Sequence, residues 1–292
     1  MNKPQCLIRK KGTRFWWSML INKVIFLDLD GTLIDHSLIP PDSALEAINL
    51  AKANGHKLYI NTGRSICQVY DYLWELGFNG FVGGNGIYIE SEGQALFHRP
   101  IPQPLVEKVY KYLVEHEIGF FEEGQESLYA HPRYLPELAD LLDVTPVQAE
   151  AKTNRLFPST SYNNLGWHEN VNKISVVLSE KVNLDVIREF LKPELVIGLW
   201  SLFGNEREFG DIYQGGTSKG TAVEFLMKHL NLPMSDTYCF GDSTNDIEMV
   251  QLAGTGVAMG NAIPQLKAAA DLVTDPVSED GLWKAFRQLG LI

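Results

Sequence analysis

Residues 23–32 of this chain read Lys-Val-Ile-Phe-Leu-Asp-Leu-Asp-Gly-Thr. The apolar, β-branched part of this stretch predicts a buried strand of a parallel sheet, which Gly31 and Thr32 then end. The carboxylates of Asp28 and Asp30 are therefore expected at the carboxyl end of the strand, where ligands bind in open α/β sheets. Two carboxylates beside a glycine turn suit a divalent cation and a phosphate group. The alternative is a polar turn after a strand, in which Asp and Gly are common.

The composition of the chain limits the classes of partner. With 292 residues it can form two domains. Its net charge of -11, from 36 acidic and 25 basic residues, argues against nonspecific binding of nucleic acid. A small anionic substrate remains compatible, because a bound metal and a few local cations set the field inside a site. No run approaches the roughly 18 to 20 apolar residues that a membrane span needs, so no membrane partner is expected.

The cysteines and the N-terminus bear on location. Cys6, Cys67 and Cys239 are scattered and form no C-x-x-C pair, which predicts neither disulfides nor a zinc site and favours the cytoplasm. The apolar stretch near residue 15 is short for a signal peptide and lacks a small-residue cleavage site. We therefore expect residues 1–21 to form a poorly ordered N-terminal extension, with Met19 as an alternative natural start.

Strands and helices alternate in the first part of the chain and again in the last. Strands are predicted at 23–27, 57–61 and 81–82, with helices at 44–51 (N-cap Asp42 or Ser43) and 65–76 between them. This order predicts an α/β fold with a doubly wound, parallel, Rossmann-like sheet. From residue 87 the pattern changes to a hairpin followed by mixed strands and helices, including closing strands at 196–203 and 208–213. We therefore predict a core formed by residues 22–86 and 212–292, and an inserted α+β cap formed by residues 87–211.

Polar groups follow the other core strands and begin one core helix. In a parallel sheet they would meet Asp28 and Asp30 at one edge. Together they supply a carboxylate nucleophile, a cation, a hydroxyl donor and further acids for a metal, which is what phosphoryl transfer needs. These groups are Thr62, Lys219, Asp242, Asn245 and Asp246.

Four of these segments resemble the four motifs of the phosphatases of the haloacid dehalogenase (HAD) superfamily. They are residues 28–32, Thr62, Lys219 and residues 241–246. Further segments resemble the Cof-type subgroup, which carries a type IIB cap. They are residues 61–64, 84–86, 218–220 and 258–262. The resemblance covers nearly the whole chain from residue 22 and implies a Rossmann-like core with a cap inserted between the second and third motifs.

The resemblance implies a role for each core position. Asp28 would attack phosphorus and become an aspartyl-phosphate. Asp30 would protonate the leaving oxygen and later activate water, a role for which a raised carboxyl pKa is expected. Thr62 and the Gly63 amide would hold phosphoryl oxygens, and Lys219 would neutralise both the phosphate and Asp28.

The resemblance also implies a Mg²⁺ site. Its ligands would be the Asp28 carboxylate, the Asp30 backbone carbonyl and Asp242, while Asp246 would orient water and Lys219 from behind them. Asn245 and Arg64 are candidates for contact with the phosphate or the substrate.

Several residues have an ordinary structural interpretation beside the functional one. Arg64 could be a solvated side chain at a helix start, and Asn85 could serve only a turn with positive φ. Asn261 could cap a helix. Trp167 and Trp200 could stack on a sugar, although buried packing is the commoner role.

These observations predict a Mg²⁺-dependent phosphomonoesterase that acts on a small phosphorylated metabolite, with a sugar phosphate as the expected class. Two alternatives stay open. A phosphomutase of the same fold would return the phosphoryl group to the substrate, and a catalytically inactive module would only bind it.

Overall fold

The computed structural model describes residues 22–200 and 208–292. The predicted extension at 1–21, with Met19, lies outside the described residues, as does the end of the strand predicted at 196–203. The first eight strands are β1 (Val24–Leu27), β2 (Lys57–Asn61), β3 (Gly80–Gly83), β4 (Tyr88–Ser91), β5 (Gln94–His98), β6 (Phe120–Glu123), β7 (Leu128–Ala130) and β8 (Thr160–Ser161). The others are β9 (Lys173–Val177), β10 (Leu195–Trp200), β11 (Phe209–Gln214), β12 (Thr237–Gly241), β13 (Thr255–Ala258) and β14 (Leu272–Val273).

The helices are distributed along the whole described chain. They are α1 (Asp42–Ala53), α2 (Asp71–Trp74), α3 (Gln103–Glu115), α4 (Tyr134–Leu141), α5 (Pro146–Leu156), α6 (Leu184–Leu191), α7 (Lys219–His229), α8 (Ile247–Leu252), α9 (Pro264–Ala269) and α10 (Gly281–Gln288). Among the described residues, none of these helices combines the length and apolar character that crossing a bilayer requires.

Eight strands form the core sheet in the order β14-β13-β12-β1-β2-β3-β4-β5. The neighbours from β14 to β3 pair in parallel. The chain passes from β1 to β2 and β3 on one side, and later fills the other side from β12 outwards. The strand order therefore reverses between β1 and β12, and the carboxyl ends of strands at such a point form a binding crevice. The predicted α/β core is confirmed.

Helices cover both faces of this sheet. Helices α1 and α10 pack on one face, and α7, α8 and α9 pack on the other. Helix α1 shows why: Ala44, Ala47, Ile48 and Ala51 recur at helical spacing and are all buried. Strand β1 is buried along its whole length, which explains its uninterrupted apolar sequence.

A second sheet lies between β5 and α7 in the sequence, with the strand order β10-β11-β9-β6-β7-β8. All of its pairs are antiparallel except β7 with β8. Helices α3 and α6 contribute to the apolar cluster on one face, and α4 and α5 contribute to the cluster on the other. This is the α+β unit that the sequence predicts as an insertion.

The hairpin of β4 and β5 belongs to the core sheet, because β4 pairs with β3 in antiparallel fashion. The sequence assigned this hairpin to the insertion. The apolar alternation is the same in either sheet, so only the pairing reveals where the hairpin lies. We propose that the cap runs from residue 99 to residue 214, after the hairpin and through the end of β11, instead of from 87 to 211.

The two chain segments that join the cap to the core lie side by side. The Arg99 Nε donates a hydrogen bond of 2.6 Å to the Gln214 side chain, and the Gln214 amide donates to the Pro100 carbonyl at 3.2 Å. The cap is therefore attached at one place on the core.

The helix predicted at 65–76 is wrong in its extent. A 3₁₀ turn occupies Ile66–Gln68, and α2 is a single turn. Val69 and Tyr70 between them are extended. The carbonyl of Gln68 accepts a hydrogen bond from the Arg64 guanidinium at 3.1 Å, so it is engaged by a side chain where a continuous helix would use it for the backbone.

Candidate active site

Lys219 lies at the centre of the group of polar residues at the carboxyl end of β1. Its Nζ is 2.5 Å from Asp28 Oδ1 and 2.6 Å from Asp246 Oδ1, and its side chain is buried. It is the first residue of α7, whose N-cap is Ser218. Burial alone would lower the pKa of Lys219, but the charges of Asp246 and Asp28 outweigh burial and raise it. The ammonium therefore stays charged between the two carboxylates.

A third carboxylate, that of Asp242, lies beside the two that contact Lys219. Oxygens of Asp28, Asp242 and Asp246 all lie within 4.8 Å of one another. Burial, together with the neighbouring carboxylates, raises the pKa of Asp28 and raises the pKa of Asp242 to about 7, although Lys219 opposes both shifts. When all three carboxylates are ionised, the cluster carries more negative charge than Lys219 balances, so a further cation would stabilise the ionised form.

The turn after β1 brings Asp242 against the backbone. Gly31 has a φ of +81°, and a Cβ at this position would lie 2.3 Å from Asp242 Oδ2. The Asn261 side-chain amide fixes the turn by donating a hydrogen bond of 2.8 Å to the Gly31 carbonyl. The N-cap of α9 is Ile263, so Asn261 has this role instead of the helix-capping role of the structural alternative. Only glycine allows the turn and the carboxylate to approach so closely.

The carboxylate oxygens of this cluster are suitable ligands for a hard divalent cation. Asp242 Oδ1 is buried and has no hydrogen-bond partner among the described residues. Both Asp246 oxygens are in use, one by Lys219 and the other by the backbone N–H groups of Asp242 and Ser243 at 3.0 and 2.9 Å. Asp242 and the adjacent Asp28 are thus suited to hold Mg²⁺ directly. Asp246 instead positions Lys219 and the backbone of Asp242 and Ser243.

The loop after β2 forms the neighbouring wall of the site. Thr62 Oγ1 accepts the backbone N–H of Arg64 at 3.2 Å. A Cβ on Gly63 would lie 3.4 Å from side-chain atoms of both Asn85 and Asn245, and the Asn245 amide donates to Asn85 Oδ1 at 2.9 Å. Asn85 does adopt a positive φ of 56°, as its turn interpretation requires, and it also lines the site.

Arg64 joins the core to the cap. Its Nε and Nη2 donate to the two Asp30 oxygens at 2.6 and 2.8 Å, and its Nη1 donates to the Leu156 carbonyl of the cap at 2.7 Å. The Arg64 side chain is only 9% exposed, so it is not the solvated residue of the structural alternative. Partial desolvation would raise the pKa of Asp30, but the charge and hydrogen bonds of Arg64 lower it. The sequence predicted a raised pKa at Asp30, and the ion pair is the reason for the difference.

The site opens into a cleft of about 260 Å³ between the core and the cap. Sequence reasoning missed most of the cap side of this cleft. Its lining includes Glu123, Phe157, Lys173, Trp200 and Asp211. The available signal was the presence of charged residues in or beside otherwise apolar strands, as at Lys173 before Ile-Ser-Val-Val. Trp200 lines the cleft and also packs against a neighbouring ring, whereas Trp167 is not part of the lining.

Comparison with known proteins bears on this site. A model of the haloacid dehalogenase-like hydrolase family matches residues 25–286. The protein named "Putative phosphatase YkrA" of Bacillus subtilis (strain 168) is 32% identical over 276 residues, which cover 93% of this chain and 99% of that protein. The pyridoxal phosphate phosphatase YbhA of Escherichia coli (strain K12) is 27% identical, with 90% and 97% covered. Among solved structures, the HAD subclass IIB sugar phosphatase BT4131 matches with a TM-score of 0.69 at 27% identity, covering 93% of this chain and all of that one.

Proposed function

Because this chain belongs to the haloacid dehalogenase-like hydrolase family and is a phosphatase, we propose that it is a Mg²⁺-dependent phosphomonoesterase of a small phosphorylated metabolite, with a sugar phosphate as the first class to test. The observation that carries the proposal is the buried Lys219 between Asp28 and Asp246, with the unpartnered oxygen of Asp242 in the same cluster. Sugar phosphates are favoured by the name of the structural relative BT4131.

In this proposal Asp28 Oδ attacks phosphorus, the bond from phosphorus to the leaving oxygen breaks, and an aspartyl-phosphate forms on Asp28. Lys219 neutralises the attacking carboxylate and the phosphoryl oxygens. Thr62, the Gly63 amide and Asn245 bind the phosphoryl oxygens, since they border the same cleft. Water then hydrolyses the intermediate and regenerates Asp28.

Asp30 is the proposed acid and base. It passes a proton to the leaving oxygen in the first step and takes one from water in the second. Because Arg64 lowers the pKa of Asp30, Asp30 becomes an acid only after the ion pair with Arg64 loosens. We propose that Arg64 is displaced towards the substrate when the substrate enters.

The residues proposed to hold Mg²⁺ are Asp28, Asp242 and the backbone carbonyl of Asp30. When bound, the ion supplies positive charge that lets an anionic carboxylate approach an anionic phosphate. The chain's own part is to fix these oxygens, which Lys219 and the Gly31 turn do.

Phosphate release from a panel of sugar phosphates, nucleotides and other phosphorylated metabolites, with Mg²⁺ or with EDTA, tests the proposal. Turnover is expected with Mg²⁺ only, and Asp28→Asn should abolish it, whereas Asp140→Asn at an exposed position of α4 should leave it unchanged. Activity that survives Asp28→Asn would refute the mechanism. Transfer of phosphate between positions of the substrate, without release, would identify a phosphomutase, and no turnover by folded protein would favour the binding module.

Calorimetry in the absence of substrate tests the metal site separately. Asp242→Asn removes an oxygen charge from the cluster, so Mg²⁺ should bind about tenfold or more weakly than to the wild type. Unchanged affinity would remove Asp242 from the proposed ligands.

A further inference from the structure

Three charged residues of the cap sheet form a buried group that faces the cleft; we call Glu123, Lys173 and Asp211 the cap triad. Lys173 Nζ is 2.7 Å from Asp211 Oδ2 and 3.2 Å from Glu123 Oε1. They come from β6, β9 and β11, which are neighbours in the sheet. All three side chains are buried, and all three line the cleft.

The cap triad lies directly against the loop that follows β2. Lys173 Nζ donates a hydrogen bond of 3.1 Å to the Gly63 carbonyl, and Glu123 Oε2 accepts the Ser65 hydroxyl at 2.8 Å. Gly63 is one of the residues proposed to hold the phosphoryl group. The part of a substrate that leaves with the oxygen must therefore lie beside the cap triad.

The charges of the cap triad do not balance when all three of its groups are ionised. Two carboxylates face one ammonium, and the ammonium is engaged by Gly63, Asp211 and Glu123. It has three N–H groups, so none is left for a ligand.

Asp211 Oδ1 already accepts from Ser175 and Trp200, and Glu123 Oε1 faces both Ser175 and Lys173. Asp211 Oδ2 and Glu123 Oε2 each accept one hydrogen bond and are the oxygens that can accept another from a ligand. Burial raises the pKa of Glu123 although Lys173 opposes the shift, so the cap triad is neutral when Glu123 is protonated and carries net negative charge when Glu123 is ionised. In both states it offers acceptors and no free positive charge, and in the ionised state it repels an anionic group in surroundings of low dielectric constant.

Two aromatic side chains, Trp200 and Phe157, lie next to the cap triad. The Trp200 indole N–H donates to Asp211 Oδ1 at 2.7 Å, which fixes the indole, and the Phe157 ring lies edge-on to it at 6.5 Å. Both rings line the cleft. Such rings pack against the carbon skeleton of a ligand whose polar groups bond elsewhere.

We propose that the cap triad and Trp200 select leaving groups that donate hydrogen bonds and carry no negative charge, such as neutral polyols or amines, and reject those that carry a carboxylate or a second phosphate. This inference rests on the proposed phosphatase function and deepens it. Selection arises from repulsion of the wrong ligand as much as from attraction of the right one.

Matched pairs of substrates that differ by a carboxylate test the inference. They are glucose 6-phosphate with 6-phosphogluconate, glycerol 3-phosphate with 3-phosphoglycerate, and phosphoethanolamine with phosphoserine, with p-nitrophenyl phosphate as a reference. In the pairs that are turned over, kcat/KM should favour the member without the carboxylate by about tenfold or more, a factor that one repulsive contact supplies.

Variants then assign the preference to the cap triad. Glu123→Gln and Asp211→Asn should each reduce the preference within a pair several-fold. Glu122→Gln is the matched control, because Glu122 precedes Glu123 in the same strand, points to the opposite face and binds His168 there, so the preference should be retained.

Three results overturn the inference. They are equal or better turnover of the carboxylate members, turnover of p-nitrophenyl phosphate but of none of the paired compounds, and a preference that Glu122→Gln reduces as much as Glu123→Gln does. Hydrolysis of no ester at all by folded protein would instead refute the proposed function, and the inference with it.

Discussion

Arg64 is the residue whose position most changes the chemistry expected of this site. It occupies both oxygens of Asp30 with its guanidinium and reaches the cap carbonyl of Leu156 with its remaining nitrogen. In this arrangement Asp30 is held in its ionised form. A proton must therefore reach Asp30, or Arg64 must leave it, before Asp30 can act as an acid.

Replacing Arg64 should shift the pH dependence of catalysis. Arg64 lowers the pKa of Asp30, so Arg64→Gln raises it, and the protonated acid then persists to higher pH. The descending alkaline limb of kcat/KM should move to higher pH, measured with an alkyl phosphate that the protein hydrolyses, because an alkoxide leaving group needs the proton of Asp30.

Tyr70→Phe is the control for this prediction. The Tyr70 hydroxyl donates to the same Leu156 carbonyl at 3.1 Å, and the Tyr70 ring lies 5.2 Å from the Arg64 guanidinium. The two hydrogen bonds to the Asp30 carboxylate come from Arg64 and are retained when the Tyr70 hydroxyl is removed. Its loss weakens the link to the cap and should leave the alkaline limb in place. If both variants shift the limb equally, the ion pair is not its cause.

The residues of the core motifs were predictable one by one, because each follows a strand or begins a helix whose pattern is local. The cap triad was not. Glu123, Lys173 and Asp211 are far apart in the sequence and meet only through the order and register of β6, β9 and β11. An isolated charged residue in a strand does not reveal which residue lies opposite.

At the scale of single elements, the start of α7 matters most, because it fixes the backbone of Lys219. Ser218 Oγ accepts the Thr221 backbone N–H at 3.0 Å, and the Asn61 amide donates to the Lys219 carbonyl at 3.1 Å. The first turn of α7 is thereby held both by its N-cap residue, Ser218, and by Asn61 at the end of β2.

Removal of this helix cap should affect both stability and catalysis. Ser218→Ala leaves a backbone N–H of the first turn unpaired, so the free energy of unfolding should fall by about 1 kcal/mol. Because the first turn carries Lys219, kcat should fall as well. Urea unfolding and steady-state kinetics measure the two effects.

Thr145→Ala provides the matched control, since Thr145 caps α5 with the same arrangement and lies in the cap. It should lower stability to a similar extent without lowering kcat. An unchanged kcat in Ser218→Ala would mean that other contacts alone position Lys219.

The bounds of a strand or helix were predictable where they depend on the local sequence pattern. They were not predictable where a contact with a residue distant in the sequence determines them. Strand β2 has the predicted bounds, Lys57–Asn61. The helix predicted at 65–76 is interrupted because Arg64 engages the Gln68 carbonyl while it binds Asp30 and the cap. Nothing in the sequence of residues 65–76 indicates those contacts.

At the scale of the whole molecule, four of the hydrogen bonds that join the core and the cap involve residues 63–65, directly beyond Thr62. They run from Arg64 to the Leu156 carbonyl, from Ser65 to Glu123, from the Asn172 amide to the Ser65 hydroxyl and from Lys173 to the Gly63 carbonyl. The loop that borders the phosphoryl site is thus also the surface on which the closed cap rests.

Ser65→Ala should make the closed arrangement less stable, because the buried Glu123 carboxylate loses one of its donors. Hydrogen exchange of the backbone amides at 63–70 and 120–126 should become faster than in the wild type. Ser127→Ala is the control, since the Ser127 hydroxyl bonds only within the cap, to Leu128 and Ser159. Equal acceleration at 63–70 in both variants would contradict a role for the Ser65 contact across the cleft.

The attachment of the cap at one place, through the side-by-side segments tied by Arg99 and Gln214, has a consequence for the history of such proteins. A domain whose two connections to the core are adjacent is a cassette, because exchanging it does not change the strand order of the core sheet. Residues 99–214 could be replaced by the corresponding part of a relative, and the hybrid would keep the reactive core while acquiring the relative's preference among substrates. Diversification could thus proceed in the cassette while the hydrolytic machinery stayed as it was.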